Sequence, residues 1–209
     1  STCDSCGHTL TPLELVPLVS AIASRGRCRR CGAAIAPLHW QVELACAAIG
    51  SVALGVAPNL AGIAGAVFGW LLTALAILDA RHFWLPDRLT VALAVTGLLT
   101  ALAELGPSLG DRLIGGAVGF GTLWLIAFAY RRIRRRDGLG GGDPKLFGAI
   151  GLWLGWQALP FVLLAASAAG LLLVFALLAF RHDVTAQTRL PFGTLLAVAA
   201  FPIWVWSMT

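Results

Sequence analysis

Apolar residues in this chain come in long runs, and the polar residues are gathered between them. A soluble amphipathic helix would show an apolar stripe recurring every three to four residues, which is not the pattern here. Apolar segments can be read at about 39–57, 59–78, 89–105, 113–130, 145–157, 161–180 and 190–208, preceded by a polar stretch over residues 1–37. About 20 apolar helical residues cross a hydrocarbon layer roughly 30 Å thick. The pattern therefore predicts an all-α polytopic membrane protein with about seven transmembrane helices. The fifth segment is short: at about 1.5 Å per residue it reaches only about 20 Å, so it has to thin the bilayer, lean on its neighbours or re-enter.

Composition fits that class, with 58% hydrophobic and 12% charged residues. The net charge of +5 would suggest a nucleic-acid partner in a soluble protein. Position decides otherwise. Arg25, Arg27, Arg29 and Arg30 precede the first segment, Arg81 and Arg88 follow the second, and Arg131, Arg132, Arg134, Arg135 and Arg136 follow the fourth. Lys145, Arg181 and Arg189 fall on the same side, leaving only Arg112 of the 15 cations opposite, in the loop from Glu104. Cations concentrate in cytoplasmic loops, so the amino terminus is expected in the cytoplasm, with the arginine run at 131–136 anchoring to anionic membrane lipid and no nucleic acid bound.

Four of the five cysteines form Cys3-x-x-Cys6 and, 21 residues later, Cys28-x-x-Cys31. That is the spacing of a tetrahedral four-thiolate zinc site, in which each pair reaches one ion from a tight turn; Gly7 and Gly32 supply the backbone freedom such turns need. So short a segment cannot build a sufficient core, and metal ligation would supply the missing folding free energy. The zinc is thus expected to be structural, in a cytoplasmic module over 1–37, with 38–209 as the membrane domain. Two disulfides would need an oxidising compartment, against the expected topology. Cys46 lies among alanines in the first segment and reads as a small apolar side chain.

Ionisable groups beside membrane spans are costly and mark candidate sites. Asp79 closes the second apolar run, at a helix carboxyl end where the macrodipole disfavours an anion. Asp143 follows Gly138-Leu-Gly140-Gly141-Gly142 and precedes Pro144-Lys145. Both belong to the cytoplasmic side. Two carboxylates that share a proton can hydrolyse a peptide without a metal, one acting as base and the other as acid. The glycines, Gly140 and Gly142 among them, permit irregular backbone and close approach of an extended substrate. Asp143 also reads as an N-cap followed by a first-turn proline, and Asp87 as the N-cap of the span beginning near Leu89. Lys145, grouped with Gly140 and Gly142 as the supporting loop, reads as a snorkelling anchor or else as a contact to the site or substrate. Neither the dinucleotide nor the Walker phosphate pattern fits Gly138 to Lys145.

Taken together, these residues resemble the type IV prepilin peptidase family. The paired CxxC module with Glu43 at the head of a span, Asp79 followed by Leu85-Pro86-Asp87, Gly140-Gly141-Gly142-Asp143-Pro144-Lys145, and Leu190-Pro191-Phe192-Gly193 are similar to four family landmarks, in order. The resemblance implies Asp79 and Asp143 as catalytic residues and Cys3, Cys6, Cys28 and Cys31 as metal ligands. It further implies cleavage of prepilin or pseudopilin leader peptides at the cytoplasmic face of the bacterial inner membrane. Methylation of the new amino terminus from S-adenosylmethionine is also implied, although no pattern here independently marks a methyl-donor site. It implies, too, a further span and polar segment ahead of the first CxxC, where this sequence has two residues. The competing readings are a non-enzymatic membrane assembly factor whose zinc module docks a partner, and a transporter using Asp79 as proton carrier.

Overall fold

The structure is a computed structural model and describes residues 2–3, 5–11, 24, 26–135, 138–180 and 190–209. Arg25, Arg136, Arg181 and Arg189, which entered the charge count above, lie outside these residues. Among the described residues the regular structure is helical: α1 Leu38–Val56, α2 Leu60–His82, α3 Asp87–Leu102, α4 Leu109–Arg134, α5 Asp143–Leu154, a 3-10 turn at Trp156–Ala158, α6 Leu159–Ala179 and α7 Phe192–Met208. Two isolated antiparallel bridges, Thr2 with Thr9 and Arg27 with Ala34, are the exceptions. Four stretches are long and apolar enough to cross a membrane: Leu38–Val56, Leu60–His82, Leu109–Arg134 and Trp156–Ala179. The chain is accordingly a membrane protein. Large apolar side chains such as Leu44, Val95, Leu125, Leu164 and Phe175 face outward, as a hydrocarbon solvent requires and water would penalise.

Local chemistry sets the helix ends. The Asn59 side chain accepts from the Ala61 amide at 2.8 Å and starts α2, and Ser108 accepts from the Asp111 amide at 3.1 Å to start α4. Phe83 ends α2 in the left-handed region at φ 50°, which turns the chain toward Pro86 and α3.

The short α5 leans on its neighbours. Ten of its residues are buried, all but Lys145 and Leu152, against α4, α3 and α7. Its closest neighbour is α4, which it meets through glycines. A Cβ added at Gly151 would stand 2.2 Å from the Gly115 carbonyl oxygen, and one at Gly119 would stand 2.8 Å from the Phe147 carbonyl oxygen. Small residues that bring backbones together are the usual means by which helices pack where lipid competes for every apolar face. At the far end of α5, Trp153 stacks on Phe68 with ring centroids 4.6 Å apart and donates from Nε1 to the Leu93 carbonyl at 2.7 Å.

Arg112 is not a loop residue. It lies in the first turn of α4, 1% exposed. Its guanidinium donates to the carbonyls of Pro107, Gly97, Leu152 and Trp153 at 2.8–3.1 Å, to Thr100 Oγ1 at 3.0 Å, and to the Leu105 carbonyl. The five-donor fork thus joins the ends of α3 and α5 to the intervening loop. Of these acceptors, the Leu152 and Trp153 carbonyls lie in the last turn of α5, where intrahelical donors run out.

Candidate active site

The carboxyl end of α2 and the amino ends of α3, α5 and α7 converge. Asp79, in the last turn of α2, is 6% exposed, and Asp143, the first residue of α5, is 5% exposed. Between them lies Gly193, in the first turn of α7. The point where a Gly193 Cβ would stand is 3.0 Å from Asp79 Oδ2 and 3.1 Å from Asp143 Oδ1. The two oxygens are therefore no farther apart than the sum of those distances, 6.1 Å. Residues separated by 64 positions in the chain, 79 and 143, face one another across a gap that only a residue without a side chain leaves open.

Each carboxylate is held by a different element. Asp79 Oδ2 accepts from the Thr194 amide at 2.7 Å and lies 3.0 Å from Thr194 Oγ1. The positive end of α7 thereby faces an anion that the carboxyl end of its own helix disfavours. Asp143 Oδ2 accepts from the Gly140 amide at 3.0 Å. The expected N-cap at Asp143 is thus replaced: Gly142 is the N-cap, Asp143 opens the first turn, and its carboxylate reaches back into the glycine loop. Gly142 is needed for close approach, since a Cβ there would meet Leu85 Cβ at 2.8 Å.

Asp87 and Lys145 also read differently in space. No side-chain cap opens α3, where Pro86 stands at the N-cap and Asp87 is the first helical residue. Asp87 Oδ1 instead pairs with Lys145 Nζ at 2.6 Å, both side chains well exposed, which ties the α2–α3 turn to the start of α5. Lys145 is therefore an ion-pair partner and not simply a lipid anchor. Thr194 is the site residue that the sequence did not disclose. It follows directly after Leu190-Pro191-Phe192-Gly193, and its only local signal is a hydroxyl in the first turn of a largely apolar helix.

The four cysteines gather at one point. Cys3, Cys6, Cys28 and Cys31 place their sulfurs within 4.8 Å of one another, with Cys3 Sγ and Cys31 Sγ 3.9 Å apart. A tetrahedral ion with Zn–S bonds of about 2.3 Å needs sulfur separations of about 3.8 Å, so this donor set fits zinc. Each pair sits on the same turn: Gly7 and Gly32 amides donate to Cys3 and Cys28 carbonyls at 2.8 and 2.9 Å, with φ of 67° and 72°. The left-handed backbone at both glycines is what the sequence required of them. The Cys31 and Arg30 backbone amides near its sulfur hold the Cys28 thiol down to about 7, while desolvation and the neighbouring cysteine sulfurs push the Cys6 thiol up to about 11. Cys46 is apart, in α1.

Comparison with known proteins is consistent with this geometry. The model of the type IV leader peptidase family matches residues 66–175, and that of the bacterial peptidase A24 N-terminal domain matches residues 1–56. A prepilin leader peptidase/N-methyltransferase of Aeromonas hydrophila is 40% identical over 207 residues, covering 99% of this chain and 71% of the relative. The proteins of that name from Pseudomonas aeruginosa and Dichelobacter nodosus are 37% and 35% identical, covering 99% and 96% of this chain and 71% and 69% of the relatives. No solved structure matches. The first family model spans both Asp79 and Asp143, the second spans all four clustered cysteines, and nearly the whole chain aligns with named members: the chain belongs to the type IV leader peptidase family.

Proposed function

We propose that this chain is a membrane aspartic endopeptidase that removes the leader peptide of type IV prepilins or pseudopilins, with Asp79 and Asp143 as its catalytic pair. The supporting observation is the convergence of two buried carboxylates on one gap, from helices α2 and α5. Two like charges so placed disfavour double ionisation, and the reaction requires one member of the pair protonated and the other ionised. The ionised member draws a proton from water, whose oxygen attacks the scissile carbonyl carbon, while the protonated member hydrogen-bonds the carbonyl oxygen. As the tetrahedral intermediate collapses, the C–N bond breaks and the amine leaves with a proton returned by the first carboxyl. Gly140 and Gly142 let an extended substrate strand approach the loop, and Lys145 fixes the loop to the α2–α3 turn.

The topology that goes with this reading has seven crossings, the amino terminus and the site at the cytoplasmic face of the bacterial inner membrane, and the arginines after α4 against anionic lipid. Residues 1–37 form the metal module and 38–209 the peptidase domain. Cys3, Cys6, Cys28 and Cys31 would hold zinc, which supplies folding free energy to the module and takes no part in hydrolysis. The relatives' name extends the proposal to N-methylation of the new amino terminus, with S-adenosylmethionine as donor; no residue is assigned to that step.

Cleavage of a synthetic peptide spanning a prepilin leader junction, measured in detergent, tests the reading. Asp79→Asn and Asp143→Asn are each expected to insert normally and to lose cleavage. Retained cleavage in both variants refutes it.

A further inference from the structure

Most helical threonines here bond within their own helix. The hydroxyls of Thr73, Thr90 and Thr96 donate to the carbonyls of Gly69, Pro86 and Ala92, four residues back, as buried or lipid-facing hydroxyls commonly do. Thr194 reaches across the chain instead. Its Oγ1 lies 2.9 Å from the Ala76 carbonyl oxygen and 3.0 Å from Asp79 Oδ2, while its amide donates to that same Oδ2 at 2.7 Å.

A threonine hydroxyl carries one proton and accepts through its lone pairs. When Asp79 is ionised, the hydroxyl turns its proton onto Oδ2 beside that of the amide. When Asp79 is protonated on Oδ2, the carboxyl donates to Oγ1, and the hydroxyl donates its hydrogen bond to the Ala76 carbonyl. Both states are satisfied with no heavy atom moving. The support of Asp143 is different, because the Gly140 amide can only donate.

We propose that Thr194 is a positioning residue of the peptidase reaction, holding Asp79 in one place through both protonation states that acid–base catalysis demands of it. This rests on the reading of Asp79 as catalytic. A carboxyl that lost its partner in one state would swing or recruit water in each turnover, and catalysis is sensitive to such misplacement.

The test uses the full chain in detergent and a synthetic peptide spanning a prepilin leader junction, with Thr194→Val, Thr194→Ala and Thr194→Ser beside Asp79→Asn and Asp143→Asn. Valine keeps the shape and the amide but removes the hydroxyl. It is expected to lower kcat by about tenfold or more with KM unchanged, and serine is expected to restore kcat to within about threefold. Wild-type kcat in Thr194→Val, a Thr194→Ser variant as slow as the valine, or a loss expressed in KM alone overturns the inference. If the valine variant is not recovered folded, the alanine variant is judged by the same criteria. Inactive aspartate variants beside an unimpaired Thr194→Val remove this inference and leave the peptidase; cleavage by both aspartate variants removes the peptidase itself.

Discussion

Gly193→Ala adds one methyl group at the most sensitive point of the site. The new Cβ would stand 2.9 Å from Leu85 Cδ1, 3.0 Å from Asp79 Oδ2 and 3.1 Å from Asp143 Oδ1. The two carboxylate oxygens are a few tenths of an ångström short of comfortable contact, and the leucine methyl is shorter still. The leucine methyl, at the end of a flexible side chain, can give way. Overpacking typically costs 1–3 kcal/mol, against which alanine recovers up to about 1 kcal/mol of the helical penalty of glycine. The net change in stability is therefore expected near 1 kcal/mol. The chemistry is less forgiving, because the methyl occupies the gap between the two carboxylates, where the proposed mechanism has water and the scissile carbonyl meet. A displacement of about 1 Å at reacting atoms costs about 100-fold in rate, which is about 2.7 kcal/mol of barrier. Tryptophan fluorescence during thermal unfolding reads the first quantity, and peptide cleavage in detergent reads the second. A Gly193→Ala protein that cleaves at the wild-type rate would falsify the claim that the gap between Asp79 and Asp143 is where the reaction takes place.

Two more variants probe the surroundings. Asp87→Asn breaks an exposed ion pair of the kind worth about 0–1 kcal/mol, so cleavage is expected to stay within about threefold of wild type; inactivation as complete as that of Asp79→Asn would mean that Asp87 belongs to the reacting pair. Cys28→Ser removes one of the four clustered sulfurs; on the proposal that they hold zinc, whose binding to such a site supplies about 10–16 kcal/mol of folding free energy, elemental analysis is expected to find no zinc in this variant and limited proteolysis to cut within residues 1–37. Full zinc occupancy in that variant would show that a different donor set holds the ion.

The helical segments and the cysteine turns were legible because their signals are local. An apolar run fixes a helix whichever neighbours it finds, and Gly7 and Gly32 are called for by the two CxxC turns alone. The predicted segments lie close to α1–α7, with the fifth as short as its apolar run. Asp79 and Asp143 could be named as candidates, since a carboxylate beside a span is conspicuous anywhere. What each one touches could not. Asp79 finds its partner 115 residues later in Thr194, and Asp87 meets Lys145 58 residues away, so no spacing rule reaches either pair. The surroundings of Arg112 were out of reach for the same reason: the sequence puts it at the end of the loop from Glu104, and only the fold brings to it the carbonyls of Leu152 and Trp153, 40 and 41 residues away.

The glycine contact between α4 and α5 makes the second of these helices a lever arm whose bearing is remote from its working tip. Gly151 lies eight residues from Asp143, roughly 12 Å along a helix, yet the contact of Gly151 with Gly115 leaves no cushion of side chain to absorb an added atom. Any side chain there would have to be accommodated by shifting the rod bodily, and Asp143 would travel with it. The alignment of the carboxylates at one face is thus set partly by how tightly two backbones can be pressed together toward the other.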